Sequence, residues 1–210
     1  MKSFKASVLN VVMLSKGFGN KNMEKYTQAE KTFLLKLARN TIEFYFANHA
    51  KMEIDESEVI SENLKRKRAA FVTLTQNGSL RGCIGSINPE MPLYEEIIDK
   101  AYAAAFRDLR FPALAKDELP KTKIDISILA VPEPLYYRDY QDLLAKIDSG
   151  KDGIVLKKNS FSATFLPSVW REINDKEEFL SSLCHKAGLP LDAWKQNAEI
   201  LIYRTIEFSE

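Results

Sequence analysis

From Thr27 onward, apolar residues return every three or four positions: Phe33, Leu34, Leu37, Ala38, Ile42, Tyr45 and Phe46. That spacing predicts one stripe of an amphipathic helix ending near His49. Thr27 and Glu30 supply a T-x-x-E capping box for its start. Past the basic run Lys65-Arg66-Lys67-Arg68 the period changes to two. "AAFVTLT" reads as a strand, Asn77-Gly78 as a type I′ turn that needs positive φ at both positions, and "SLRGCIGSI" as the returning partner. Pro92 opens a helix through "PLYEEIIDKAYAAAFRDL", whose alanines allow close packing against a neighbour. "KTKIDISILAV" alternates, with Ile124, Ile126, Ile128 and Ala130 on one face, and Pro132 and Pro134 stop it. A short helix over 139–147, a second hairpin through "DGIVLKKNSFSATFLP" and a helix started by Asn174 and Glu177 follow. Gly188 ends that helix, and "EILIYRTIEF" alternates again. Helices and antiparallel hairpins mix without a strand–helix–strand rhythm, so the fold class is α+β.

The chain has 210 residues, enough for one large domain or a domain of two lobes. Lys+Arg 30 against Asp+Glu 29 argues against a protein built for non-specific binding to nucleic acid. No apolar run approaches the ~18 residues of a membrane helix. Residues 1–22 read as an extension before the domain, which then spans 23–210. Cys83 and Cys184 are the two cysteines. They form no CxxC pair and no disulfide framework, which fits a reducing, cytoplasmic compartment and gives no zinc site. "GFGNKN" lacks the third glycine and the preceding strand of a dinucleotide fingerprint. No cofactor or metal is therefore expected. Cys184 falls on the apolar stripe of its helix and reads as core, with His185 turned away from it.

Chemistry concentrates in "NGSLRGCIG". A literal two-residue turn pairs Gln76 with Ser79, Leu74 with Arg81 and Val72 with Cys83, and puts Arg81, Cys83 and Gly85 on one face. An arginine beside a thiol favours the thiolate, the nucleophilic form. A glycine next to it removes a side chain that would crowd a substrate, and the guanidinium offers a fork for a carboxylate or phosphate. The same residues also fit a packing role. Cys83 could be a small core residue, and the glycines could let the alanine-rich helix sit close.

"FVTL…NGSLRGCIG" resembles the signature of the AMMECR domain family, the AmmeMemoRadiSam system protein A of bacteria and archaea. "LLKLARNTIEF", "AYAAAFRDLRFPAL", "DISILAVPEPL", "GKDGIVLKKNSFSATFLPSVWREI" and "FLSSLCHKAGLPLDAW" follow in the family's order, from about Glu30 to the C-terminus. Leu109 departs from the family, where proline is common in the D-x-R-F core. The resemblance implies antiparallel sheets with flanking helices in two unequal lobes separated by a cleft. The family has no established activity. Its association is with a Memo-like protein and a radical SAM enzyme. Asp108 and Arg110 of the D-x-R-F core are expected either beside Cys83 or as an ion pair that fixes the lobes, with Arg81 or Arg107 as the partner of Asp108. Two functions are carried forward. One is a cleft enzyme on a small anionic substrate, with Cys83, Arg81 and Asp108 catalytic and Gly82, Gly85 and Arg110 contacting substrate. The alternative is a non-catalytic protein that docks the Memo-like and radical SAM partners.

Overall fold

The capping box at Thr27 forms as expected. In a computed structural model that describes residues 25–210, Glu30 N–H donates to Thr27 Oγ1 (3.2 Å) and Thr27 N–H to Glu30 Oε2 (2.7 Å). The extension expected over residues 1–22 lies outside the described residues. Helix α1 (Gln28–Asn48) buries Leu34, Leu37, Ala38, Thr41 and Ile42, close to the predicted stripe. Pro92 stands just before α2 (Leu93–Phe106) instead of at its first turn, and α2 ends before the D-x-R-F core.

Both helices cover one face of a four-stranded antiparallel sheet ordered β2-β1-β3-β8, made of β1 (Ala70–Gln76), β2 (Ser79–Gly85), β3 (Thr122–Leu129) and β8 (Thr205–Ser209). Val72, Leu74, Ile124, Ile126 and Ile128 point into this core and meet Leu34, Ile42, Ile97 and Ala101. Their period of two places Thr73, Cys83, Asp125 and Glu207 on the opposite face.

A second antiparallel sheet, ordered β4-β7-β5-β6, joins β4 (Glu133–Pro134), β5 (Gly153–Lys158), β6 (Phe161–Phe165) and β7 (Glu199–Tyr203). Its core gathers Ile154, Leu156 and Ile200 with Trp170, Trp194 and the inner faces of α3 (Tyr140–Lys146) and α4 (Lys176–Lys186). Cys184 is fully buried there and His185 is exposed, as read from the helix stripe. Both cysteines are free thiols. The α4 cap is Asp175, whose carboxylate accepts Glu178 N–H (2.9 Å), and not Asn174. Among the described residues no helix is long and apolar enough to cross a membrane.

The two sheets meet through a small third cluster, Ala69, Leu129, Val155 and Tyr203, with Phe71, Ile87, Leu166 and Leu201 against it. The alternating C-terminal stretch is two strands. β7 closes onto β5, the chain breaks pairing at Arg204, and β8 closes onto β3 in the other sheet. Ala130 N–H donates to the Arg204 carbonyl (2.8 Å) at the crossing.

Candidate functional site

The Asn77-Gly78 turn forms as predicted, with φ of 51° and 79°. The register beyond it does not. An irregularity between Leu74 and Thr75 leaves Arg81 without a partner in β1 and pairs Leu74 with Gly82 and Thr73 with Cys83. The expected pairings of Leu74 with Arg81 and Val72 with Cys83 are thus displaced by one residue. A bulge re-aims the residue it inserts. Cys83 gains a hydroxyl neighbour in place of valine, and Thr73 Oγ1 donates to its sulfur at 3.1 Å.

Arg81 is directed elsewhere. Its Nε and Nη2 hold Glu118 in a two-point pair at 2.8 Å each, and Nη1 donates to the Pro112 carbonyl (2.9 Å). This corrects the expectation that Arg81 serves the thiol. The glycines are also filled from within. A Cβ on Gly82 would stand 2.2 Å from the Ala104 carbonyl oxygen of α2, so this glycine is there for the helix. A Cβ on Gly85 would meet the Phe71 ring at 2.2 Å and the Ala70 carbonyl oxygen at 2.6 Å. Neither leaves the open space beside the thiol that substrate contact at Gly82 and Gly85 requires.

The cation that reaches Cys83 is Arg110. β2 is an edge strand, and the outward N–H and C=O of Cys83 would otherwise lie unpaired. Asp108 Oδ2 accepts the Cys83 N–H (2.9 Å), and Arg110 Nη2 donates to the Cys83 carbonyl (3.0 Å). Arg110 also grips Asp108 through Nε (2.9 Å) and Nη2 (2.7 Å), so the pair caps the strand edge as a neighbouring strand would. The partner of Asp108 is therefore Arg110, and neither Arg81 nor Arg107. The Arg110 hydrogen bonds hold the Asp108 carboxyl down at about 2 against the effect of burial, with the Cys83 and Arg110 N–H groups helping. A carboxylate so satisfied is a poor proton acceptor at neutral pH, which removes Asp108 as the base.

Three further residues complete the surroundings of the thiol. Thr73 and Asp125 continue the row of Cys83 across β1 and β3 on the face away from the helices. Among the described residues the Asp125 carboxylate accepts no hydrogen bond and lies in no close ion pair. Burial pushes it up, with Glu207 and Glu210 adding to the effect and Lys123 opposing it. From the second sheet's side, Lys186 at the end of α4 donates to the Thr164 carbonyl (2.9 Å) and lies 5.0 Å over the Phe165 ring. The residue is exposed overall, yet desolvation of its ammonium pushes its pKa down. Arg110 pushes the same way, and Cys83 pushes it up. Cys83, Arg110 and Lys186 thus share one electrostatic neighbourhood, drawn from both sheets. Asp125 was legible as an outward polar position in "KIDISIL". Lys186, a hundred residues from Cys83, carried no sequence signal.

Asp108 and Glu118 predict the acid behaviour of the fold. Arg81 holds Glu118 at about 2, against burial. Both folded values lie below the unfolded ones, so the stabilisation is complete above about pH 4.5 and is lost as pH falls through about 2. Each contributes on the order of 2 kcal/mol. Urea melts at about pH 6 and about pH 2.5 check this, because Glu118→Gln and Asp108→Asn must each flatten the loss of stability between them.

No group of three or more metal-ligating side chains occurs among the described residues. A family model described as AMMECR1 matches residues 35–208. A protein of Methanosarcina mazei is 38% identical over 186 residues, covering 88% of this chain and 93% of its own. One from Nanoarchaeum equitans is 38% identical over 180 residues, covering 84% and 98%. The crystal structure of uncharacterized protein PH0010 from Pyrococcus horikoshii superposes with a TM-score of 0.83 at 33% identity, over 89% of this chain and 94% of that one.

Proposed function

The chain belongs to the AMMECR1 family, and from that premise we propose that it is a cytoplasmic enzyme that uses Cys83 on a small anionic substrate held in a cleft. The observation that carries this reading is that Arg110, on the loop after α2, donates to the Cys83 carbonyl while Lys186, at the end of α4, shares its electrostatic neighbourhood. Two cations there favour a bound anion. Asp125, on the same face one strand beyond Thr73 and with its pKa raised by burial, is the candidate base. In this reading residues 23–210 form one domain of two lobes, with Cys83 in the cleft between them.

Iodoacetamide labelling of the folded protein, read by peptide mass spectrometry, tests it with Cys184 as the internal comparison. Cys83 is expected to react at least about tenfold faster than Cys184. Arg110→Ala, Lys186→Ala and Asp125→Asn are each expected to slow it several-fold near pH 7. Equal rates for the two thiols, or variants without effect, would sink the reading.

A second reading has its own observation. Leu109, between Asp108 and Arg110, is 100% exposed. An apolar tip beside the strand clamp suits docking of a partner, the Memo-like or radical SAM protein associated with the family. On that reading Leu109→Ser abolishes association with the purified partner and leaves Cys83 labelling unchanged.

A further inference from the structure

The face of the first sheet that carries Cys83 near one edge has a second feature at the other. Beside β8 the surface sinks into a depression of about 370 Å³, walled by Pro167 and Trp170 and ringed by Lys151, Arg171 and Arg204, with the Ser168 hydroxyl among them. Thr205 and Glu207, outward residues of β8, form its floor.

The two guanidiniums are loosely held. Arg204 reaches Asp148 and Asp152 only at 3.5 Å each. Arg171, 81% exposed, has Glu207 at 3.9 Å and makes no hydrogen bond among the described residues. The same chain pairs arginine with carboxylate closely where the pair is structural, at 2.8 Å for Arg81 with Glu118 and 2.7 Å for Arg110 with Asp108. A guanidinium carries five N–H donors, and a well-made charge-assisted bond is about 2.7–2.9 Å long. Donor capacity at this depression is therefore left unspent. The opposing charges are Glu207 within it and Asp148 and Asp152 behind Arg204, and only Glu207 stands between Arg171 and an incoming anion.

We propose that this depression binds a small organic oxyanion, a carboxylate or phosphate monoester with an apolar or aromatic body. Arg171 and Arg204 fork the oxyanion with Ser168 beside them, and the small exposed margins of Pro167 and Trp170, both otherwise buried, meet the body. The site is independent of the thiol reading.

Isothermal titration of the full chain with phenyl phosphate, phenylacetate and inorganic phosphate tests the proposal. One of the two aromatic probes is expected to bind saturably at one site with a Kd near or below about 1 mM, and the tighter of the two identifies the headgroup. Arg171→Ala is expected to weaken binding at least about tenfold. That residue is exposed and loosely paired, so its melting temperature should match the wild type. Arg171→Glu should abolish binding, and Cys83→Ser should leave it intact. No saturable binding by any probe up to about 10 mM overturns the assignment. So does affinity unchanged in both Arg171 variants, or affinity lost in Cys83→Ser.

Discussion

Gly82→Val is expected to cost about 3 kcal/mol and to lower the melting temperature by roughly 6–12 °C. The Cβ of any larger residue would sit 2.2 Å from the Ala104 carbonyl oxygen and 3.1 Å from its carbonyl carbon. These are backbone atoms, so no side-chain rotation relieves the clash and either β2 or α2 must move. The face concerned is the core face, where Val72, Ile97 and Ala101 are fully buried, so a shift opens voids as well. Gly78 provides the control. It sits at φ 79° with nothing near its absent Cβ, and asparagine tolerates that conformation. Gly78→Asn should therefore cost less than about 1 kcal/mol. Thermal melts of Gly82→Ala, Gly82→Val and Gly78→Asn side by side decide it. If Gly82→Ala melts with the wild type, helix approach is not what the glycine serves.

The second large effect is expected at Asp108. Its replacement by alanine orphans the Cys83 N–H at the strand edge and strips Arg110 of its partner, for a loss of about 2–3 kcal/mol. Arg110→Ala should cost at least as much, because the Arg110 side chain is 57% exposed while that of Asp108, left without its cation, is 4% exposed. A guanidinium left alone there regains water, whereas the carboxylate shares a buried position. A double-mutant cycle by urea denaturation, with Asp108→Ala, Arg110→Ala and the pair, should give a coupling of about 1 kcal/mol or more, since the two residues grip each other and both hold Cys83. Additive losses would mean that the clamp on Cys83 is not one device.

What the residues made readable was local. The capping box at Thr27 and the type I′ turn follow from neighbours a few positions apart, and both are present. The site depended on what lay farther off. A one-residue bulge between Leu74 and Thr75 leaves no mark in an alternating pattern, yet it exchanges Val72 for Thr73 beside the thiol and releases Arg81. Glu118, which takes Arg81, stands 37 residues away, and Lys186 is delivered by a helix of the other sheet. The two arginines thus divide the roles differently from their spacing. The one two residues before Cys83 is structural, and the one 27 residues after it touches the cysteine.

The crossing at Arg204 has a consequence for how the chain is made. Residues 199–203 finish one sheet and residues 205–209 finish the other, and Glu210 is the ion-pair partner of Arg39 on α1. During synthesis neither sheet can gain its last strand until this segment has left the ribosome. The two hairpins, β1–β2 and β5–β6, can close earlier on local contacts alone. The newborn chain therefore exposes the unpaired flank of β3 and of β5 together, and loses both in one late step. Stalled chains ending before residue 199 should be strongly protease-sensitive, and resistance should arrive in both sheets at the same chain length.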